Sequence, residues 1–178
     1  MAKAQADRIS DILAALEKAG GRTPRIKSDL PMDQLVALMF ARHGTPQQAT
    51  KSVQALREEF VDWNEVRISY VREIIKPLEV VGLPEPKARA QELKDLFEQF
   101  YRDHNAVNLN FLAVEELNLE EAFNYLKDCP GVGDAAAAGT VIVHAEEGKA
   151  VAAAEMLRVP GRLGLAGKSP TPARIRKV

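Results

Sequence analysis

Residues 119–147, LEEAFNYLKDCPGVGDAAAAGTVIVHAEE, constrain this chain more than any other stretch, because two helix-like runs are joined there by only Pro130-Gly131-Val132-Gly133. Asn118, with Glu121 three residues on, reads as a capping box that satisfies the first free amides of one helix. Cys129-Pro130 ends that helix, since proline lacks an N–H and pushes the residue before it out of the α region. Gly131 and Gly133 allow the positive φ angles or the close backbone approach of a sharp reversal. Asp134 then reads as the cap of a second helix, whose run from Ala135 to Ala138 combines high helix propensity with small side chains that let another backbone come close.

The remaining chain is patterned for helices. Ile9, Ile12, Leu13 and Leu16 fall at helical spacing within residues 5–18, and Gly20-Gly21 stops that run. Residues 31–42 are apolar nearly all round, which predicts a deeply buried helix that Gly44 ends. Thr45-Pro46-Gln47-Gln48 is a capping box with proline at the first helical position, opening a helix that buries Ala49, Val53, Leu56 and Phe60. Asp62 with Glu65 opens another, with Val66, Tyr70, Val71, Ile74 and Ile75 as its stripe until Pro77 breaks it. Residues 87–103 form the longest amphipathic helix, with Leu93, Leu96, Phe97 and Phe100 inward. The β-prone runs are short or continue a helical pattern, so the expected class is all-α.

The reversal at 119–147 is a helix-hairpin-helix, and at these residues the chain resembles the endonuclease III superfamily of DNA glycosylases, whose hairpin reads Leu-Pro-Gly-Val-Gly-x-Lys. Three further segments match in order: DQLVALMFA (33–41) is similar to the family's first buried helix, PLEVVGLPEPKARAQEL (77–93) to its Gly, loop and Lys-Ala segment, and LRVPGRLGL (157–165) to the stretch after its catalytic aspartate. The resemblance implies two small helical lobes with a DNA and base-binding cleft between them. Residues 31–145 would form the central lobe, and residues 5–20 plus 148–165 a second lobe that looks truncated at its C-terminal end, followed by a tail at 166–178.

By the same resemblance, the position of the family's Schiff-base lysine falls on Ala135 and that of its aspartate on Ala153, and a methyl group can neither form an imine nor carry charge. Glu155 would point away from the cleft, and His144 reads more simply as a core or surface histidine than as a catalyst. Arg42 and His43 fall where relatives place residues that probe the duplex beside an extruded base; Arg42 either fills that wedge or solvates a loop. The backbone at Pro130, Gly131, Val132, Gly133, Asp134 and Ala135 would face a DNA phosphate, aided by the helix dipole. The carbonyls of the residues at Lys127, Cys129 and Val132 would hold a monovalent cation. Asp134 counts against the phosphate, because its carboxylate competes for the same amides.

Composition bounds the alternatives. A single cysteine, Cys129, excludes a disulfide within the chain and the four-cysteine iron–sulfur cluster of many relatives. The absence of a signal peptide pattern or a membrane-length apolar run points to the cytoplasm and to no membrane partner. A formal net charge of −1 is a weak footprint for a dedicated DNA binder, although Arg162, Lys168, Arg174, Arg176 and Lys177 form a basic stretch without acidic neighbours. Three readings follow: non-catalytic binding of double-stranded DNA, damaged duplex included; a protein-interaction module that keeps the fold; and an active glycosylase using other groups.

Overall fold

The computed structural model describes residues 2–20, 30–113, 118–144 and 158–164, and all regular structure among them is helical. In chain order the elements are α1 (Ala2–Gly20), α2 (Pro31–Ala41), α3 (Pro46–Glu59), α4 (Trp63–Ile68), α5 (Val71–Val81), α6 (Pro86–His104), a short 3-10 turn (Asn110–Ala113), α7 (Leu119–Asp128), α8 (Gly133–His144) and α9 (Arg158–Arg162). The all-α expectation is met. No helix of the described residues is long and apolar enough to cross a membrane.

α2 is the centre of the core. Its Leu35, Val36 and Phe40 are buried, with Leu56 of α3, Ile74 and Leu78 of α5, Leu93, Phe97 and Phe100 of α6, and Leu126 of α7 completing one apolar cluster. Each such side chain contributes about 1.5 to 3 kcal/mol on burial, which is what holds helices this short in place. α2 packs between α3 and α8, α5 between α3 and α6, and α7 against α8. Gly139 of α8 lets α2 approach closely: a Cβ there would lie 3.0 Å from Leu38 Cδ1. The Thr45 box forms as its sequence dictates, with Gln48 N–H donating to Thr45 Oγ1 at 3.2 Å and Thr45 N–H donating to Gln48 Oε1 at 2.9 Å.

The single helix expected from Asp62 to Pro77 is instead two, divided at Ser69 and Tyr70. Both residues are extended, the Ser69 hydroxyl donates to the Glu65 carbonyl at 2.7 Å, and the Tyr70 N–H donates to Glu73 Oε2 at 2.9 Å, so each half is capped locally. Lys94 of α6 donates to the carbonyls of Arg67 and Ser69, fixing the break from outside. Tyr70 is therefore 68% exposed rather than part of a buried stripe. Pro77 does not end α5 but lies inside it; the missing N–H leaves the Glu73 carbonyl without its helical donor, a loss offset by burial of Ile74, Pro77 and Leu78. The helix ends at Gly82, whose φ of 75° turns the chain away. There the Gly82 N–H donates to the Glu79 carbonyl at 2.9 Å and the Leu83 N–H to the Leu78 carbonyl at 3.0 Å, so the last turn keeps its acceptors paired.

Of the segments assigned to a second lobe, α1 and α9 are described. Arg8 Nη2 donates to the Leu163 carbonyl at 3.0 Å, tying the end of α9 to α1. Ile9 and Ile12 are half-buried, whereas Leu13 and Leu16 are 57% and 53% exposed. Residues 145–157, which include Ala153 and Glu155, and residues 165–178, which include most of the basic stretch, lie outside the described residues.

Candidate nucleic-acid interface

The hairpin is built from one tight turn between two helices of ten and twelve residues. α7 starts at Asn118, whose side chain accepts from the Glu120 N–H at 3.0 Å, one residue earlier than the capping box with Glu121 would have it. Cys129 leaves the helix at φ −71° and ψ 147°, the extended conformation that a following proline imposes. Val132 N–H then donates to the Cys129 carbonyl at 3.3 Å across Pro130 and Gly131, and Gly131 has φ 74°. Proline second and a left-handed glycine third are the residues a type II turn requires. α8 begins at Gly133, so Asp134 lies within its first turn rather than ahead of it as a cap.

Both glycines also lie in close contact with their neighbours. A Cβ on Gly131 would lie 2.9 Å from Glu92 Cβ and 2.9 Å from Met39 Cε, so the turn rests on α6 and α2. A Cβ on Gly133, which has φ 66°, would lie 2.7 Å from both Cζ and Nη1 of Arg42. The guanidinium is held there by two hydrogen bonds, Arg42 Nη1 donating to the carbonyls of Gly131 and Val132 at 2.9 Å each. The Arg42 side chain thus lies across the hairpin turn. Arg42 is the residue that caps the C-terminal end of α2, and its side chain binds the hairpin turn.

His43, next along, is half-buried, and its pKa is held below the usual 6.5 by burial first and then by the Arg89 guanidinium. Arg89 is itself buried in α6, with Nη1 3.0 Å from Glu92 Oε2 and Nη2 3.3 Å from Glu85 Oε2. Sequence reasoning missed Glu92 as a neighbour of the turn and Arg89 as its partner; their spacing marks an ion pair within a helix, but nothing local says what that helix faces. Pro130, Gly131 and Gly133 are half-buried, Val132 is buried, Ala135 is half-buried and Asp134 is exposed. Lys127 is half-buried, and Cys129 is buried with its Sγ donating to the Tyr125 carbonyl at 3.3 Å. Burial pushes the Cys129 thiol up to about 12, so it is no nucleophile at neutral pH.

Of the carbonyls that the resemblance assigns to a monovalent cation, those of Val132 and Cys129 each accept a hydrogen bond. The Val132 oxygen already accepts from a permanently charged guanidinium, and the Cys129 oxygen accepts from the Val132 N–H. A metal ion brought to the Val132 oxygen would meet a like charge at contact distance.

No family model and no curated protein matches the chain. Among solved structures it is similar to one described as the structure of a non-covalent endonuclease III–DNA complex, with a TM-score of 0.63 and 18% identity over 96% of this chain and 74% of that one. The likeness at this identity is one of fold, and it spans nearly the whole sequence. With its glycine turn joining α7 to α8 and α2 buried behind it, the chain is an all-α helix-hairpin-helix protein that shares the fold of the endonuclease III in that complex.

Proposed function

We propose that this chain is a non-catalytic DNA-binding protein that holds double-stranded DNA, damaged or distorted duplex included, at its hairpin. The observation that carries the reading is the type II turn at Cys129–Val132, which leads directly into the first turn of α8 and carries the Arg42 guanidinium on its carbonyls. Free amides and the positive end of the α8 dipole favour a phosphate there, and backbone groups need no particular side chain to do so. The similarity to a solved complex of endonuclease III with DNA supports DNA binding as such.

The absence of catalysis rests on side chains. The methyl of Ala135 stands in α8 where the resemblance implies a lysine, and Ala153 stands in the sequence where it implies an aspartate. Neither can attack or stabilise charge at the sugar. Borohydride trapping on abasic duplex should therefore yield no covalent adduct, and one that formed would overturn this half of the proposal.

Binding is tested by titrating labelled duplex at two salt concentrations. Affinity should fall steeply with salt, because phosphate contacts release counterions. A second reading, a protein-interaction module, is favoured by the exposed Asp134 carboxylate in the first turn of α8. Absence of duplex binding by folded protein at low salt would select it.

A further inference from the structure

We infer that Arg42 is the hairpin's built-in cation, a tethered guanidinium that takes the Val132 carbonyl an exchangeable metal ion would need. Two carbonyl oxygens, of Gly131 and Val132, converge on one nitrogen, Nη1, at 2.9 Å each. The negative ends of two backbone dipoles facing one point call for positive charge, and a guanidinium stays charged at any working pH. The residues around it are shaped for that occupant. Gly133 leaves the face of the guanidinium free, since a Cβ would sit 2.7 Å from Cζ and 2.9 Å from Nη2. The root of the side chain is fixed as well: the Arg42 backbone is α-helical at φ −70° and ψ −21°, and its N–H donates to the Met39 carbonyl at 3.3 Å. Because α2 is buried along its length, the charge is delivered from a rigid element. The end of α2 also favours a cation through its dipole.

An exchangeable ion stabilises a site by mass action, so stability depends on which ion is present and how much of it. A tethered guanidinium removes that dependence. Its charge also lies at the turn that leads into α8, where it adds to the attraction for a phosphate; this part rests on the DNA-binding reading above. The two consequences are separable, because the first needs no DNA.

The experiment is thermal denaturation without DNA, with potassium exchanged for tetramethylammonium at constant ionic strength. The wild-type Tm should change by less than about 2 °C across the exchange, the linkage contribution of an ion site being absent. Arg42→Ala should melt lower in tetramethylammonium and recover part of the loss in potassium, since the vacated carbonyls can then take an ion. A wild-type Tm that climbs with potassium overturns the inference, as does an Arg42→Ala protein with unchanged Tm. Should Arg42→Ala fail to fold, the wild-type series decides alone. Duplex binding in the same two salts adds a separate arm: wild-type affinity should be equal in both, and a potassium requirement for binding would again overturn the assignment. If no duplex is bound at all, the DNA reading fails while the melting series still decides the cation.

Discussion

Gly133 and Arg42 fit one another at van der Waals limits: a single added methyl on Gly133 would sit 2.7 Å from the guanidinium carbon. The glycine is thus constrained twice, by its φ of 66° and by the side chain laid across it. Gly133→Ala should lose more than about 1 kcal/mol, the usual cost of forcing an L side chain into a left-handed position. A double-mutant cycle with Arg42→Ala separates the causes. Removing Arg42 relieves the clash and leaves the backbone strain, so the two losses should be less than additive. Strict additivity would mean that the two residues do not touch in solution.

Asp33 joins three helices. Its Oδ1 accepts from Arg57 Nη2 at 2.6 Å and from Trp63 Nε1 at 3.0 Å, and Arg57 lies 4.6 Å from the centre of the Trp63 ring. Asp33→Ala would strand a partly buried guanidinium and an indole N–H, at a cost of about 3 kcal/mol, near the low end for breaking a buried pair because Arg57 keeps some access to water. Asp33→Asn keeps an acceptor and should cost less. Equal Tm values for the two variants would show that hydrogen bonding to Asp33 contributes nothing beyond charge.

What could be read from the sequence was what its local periodicity carries. α2 and α6 were legible because their apolar positions recur at helical spacing, and the α3 cap because Thr45 and Gln48 are three residues apart. The hairpin was legible because proline and two glycines leave few alternatives. The break at Ser69 was not, since part of what fixes it is Lys94 in another helix. Pro77 misled for the same reason: a rule about isolated helices gave way to burial of that face against the core. At the candidate site, the turn residues were identifiable while the partner of Arg42 was not, because the bond to Gly131 spans 89 positions in sequence.

His43 gives the fold a pH dependence of definite sign. Its folded pKa lies below 6.5, so the unfolded chain binds the proton more readily. Stability must then rise with pH across that window and fall as pH drops below about 6.5, levelling once both states are protonated. Arg89, Glu92, Arg42 and Glu85 are the charged groups that act on the ring, with burial the largest cause. His43→Gln should flatten the Tm profile between neutral and mildly acidic pH relative to wild type. An unchanged slope would assign the dependence to other groups.

Asp134 provides the sharpest test of whether the hairpin faces DNA. Its carboxylate is exposed and lies in the first turn of α8, where a negative charge interacts favourably with the helix dipole and unfavourably with an incoming phosphate. Asp134→Asn keeps the size and removes the charge. Helix stability should fall slightly, while duplex binding should tighten by about 1 kcal/mol at low salt, the scale of a charge at a helix terminus. Because the repulsion is between exposed groups, added salt should shrink the difference between variant and wild type as the screening length shortens. The opposing signs matter. A variant that merely perturbed the fold would lose Tm and affinity together, whereas loss of Tm with gain of affinity requires the phosphate to come close to this carboxylate. Unchanged or weaker binding by folded Asp134→Asn protein would mean that DNA, if bound at all, meets the chain elsewhere.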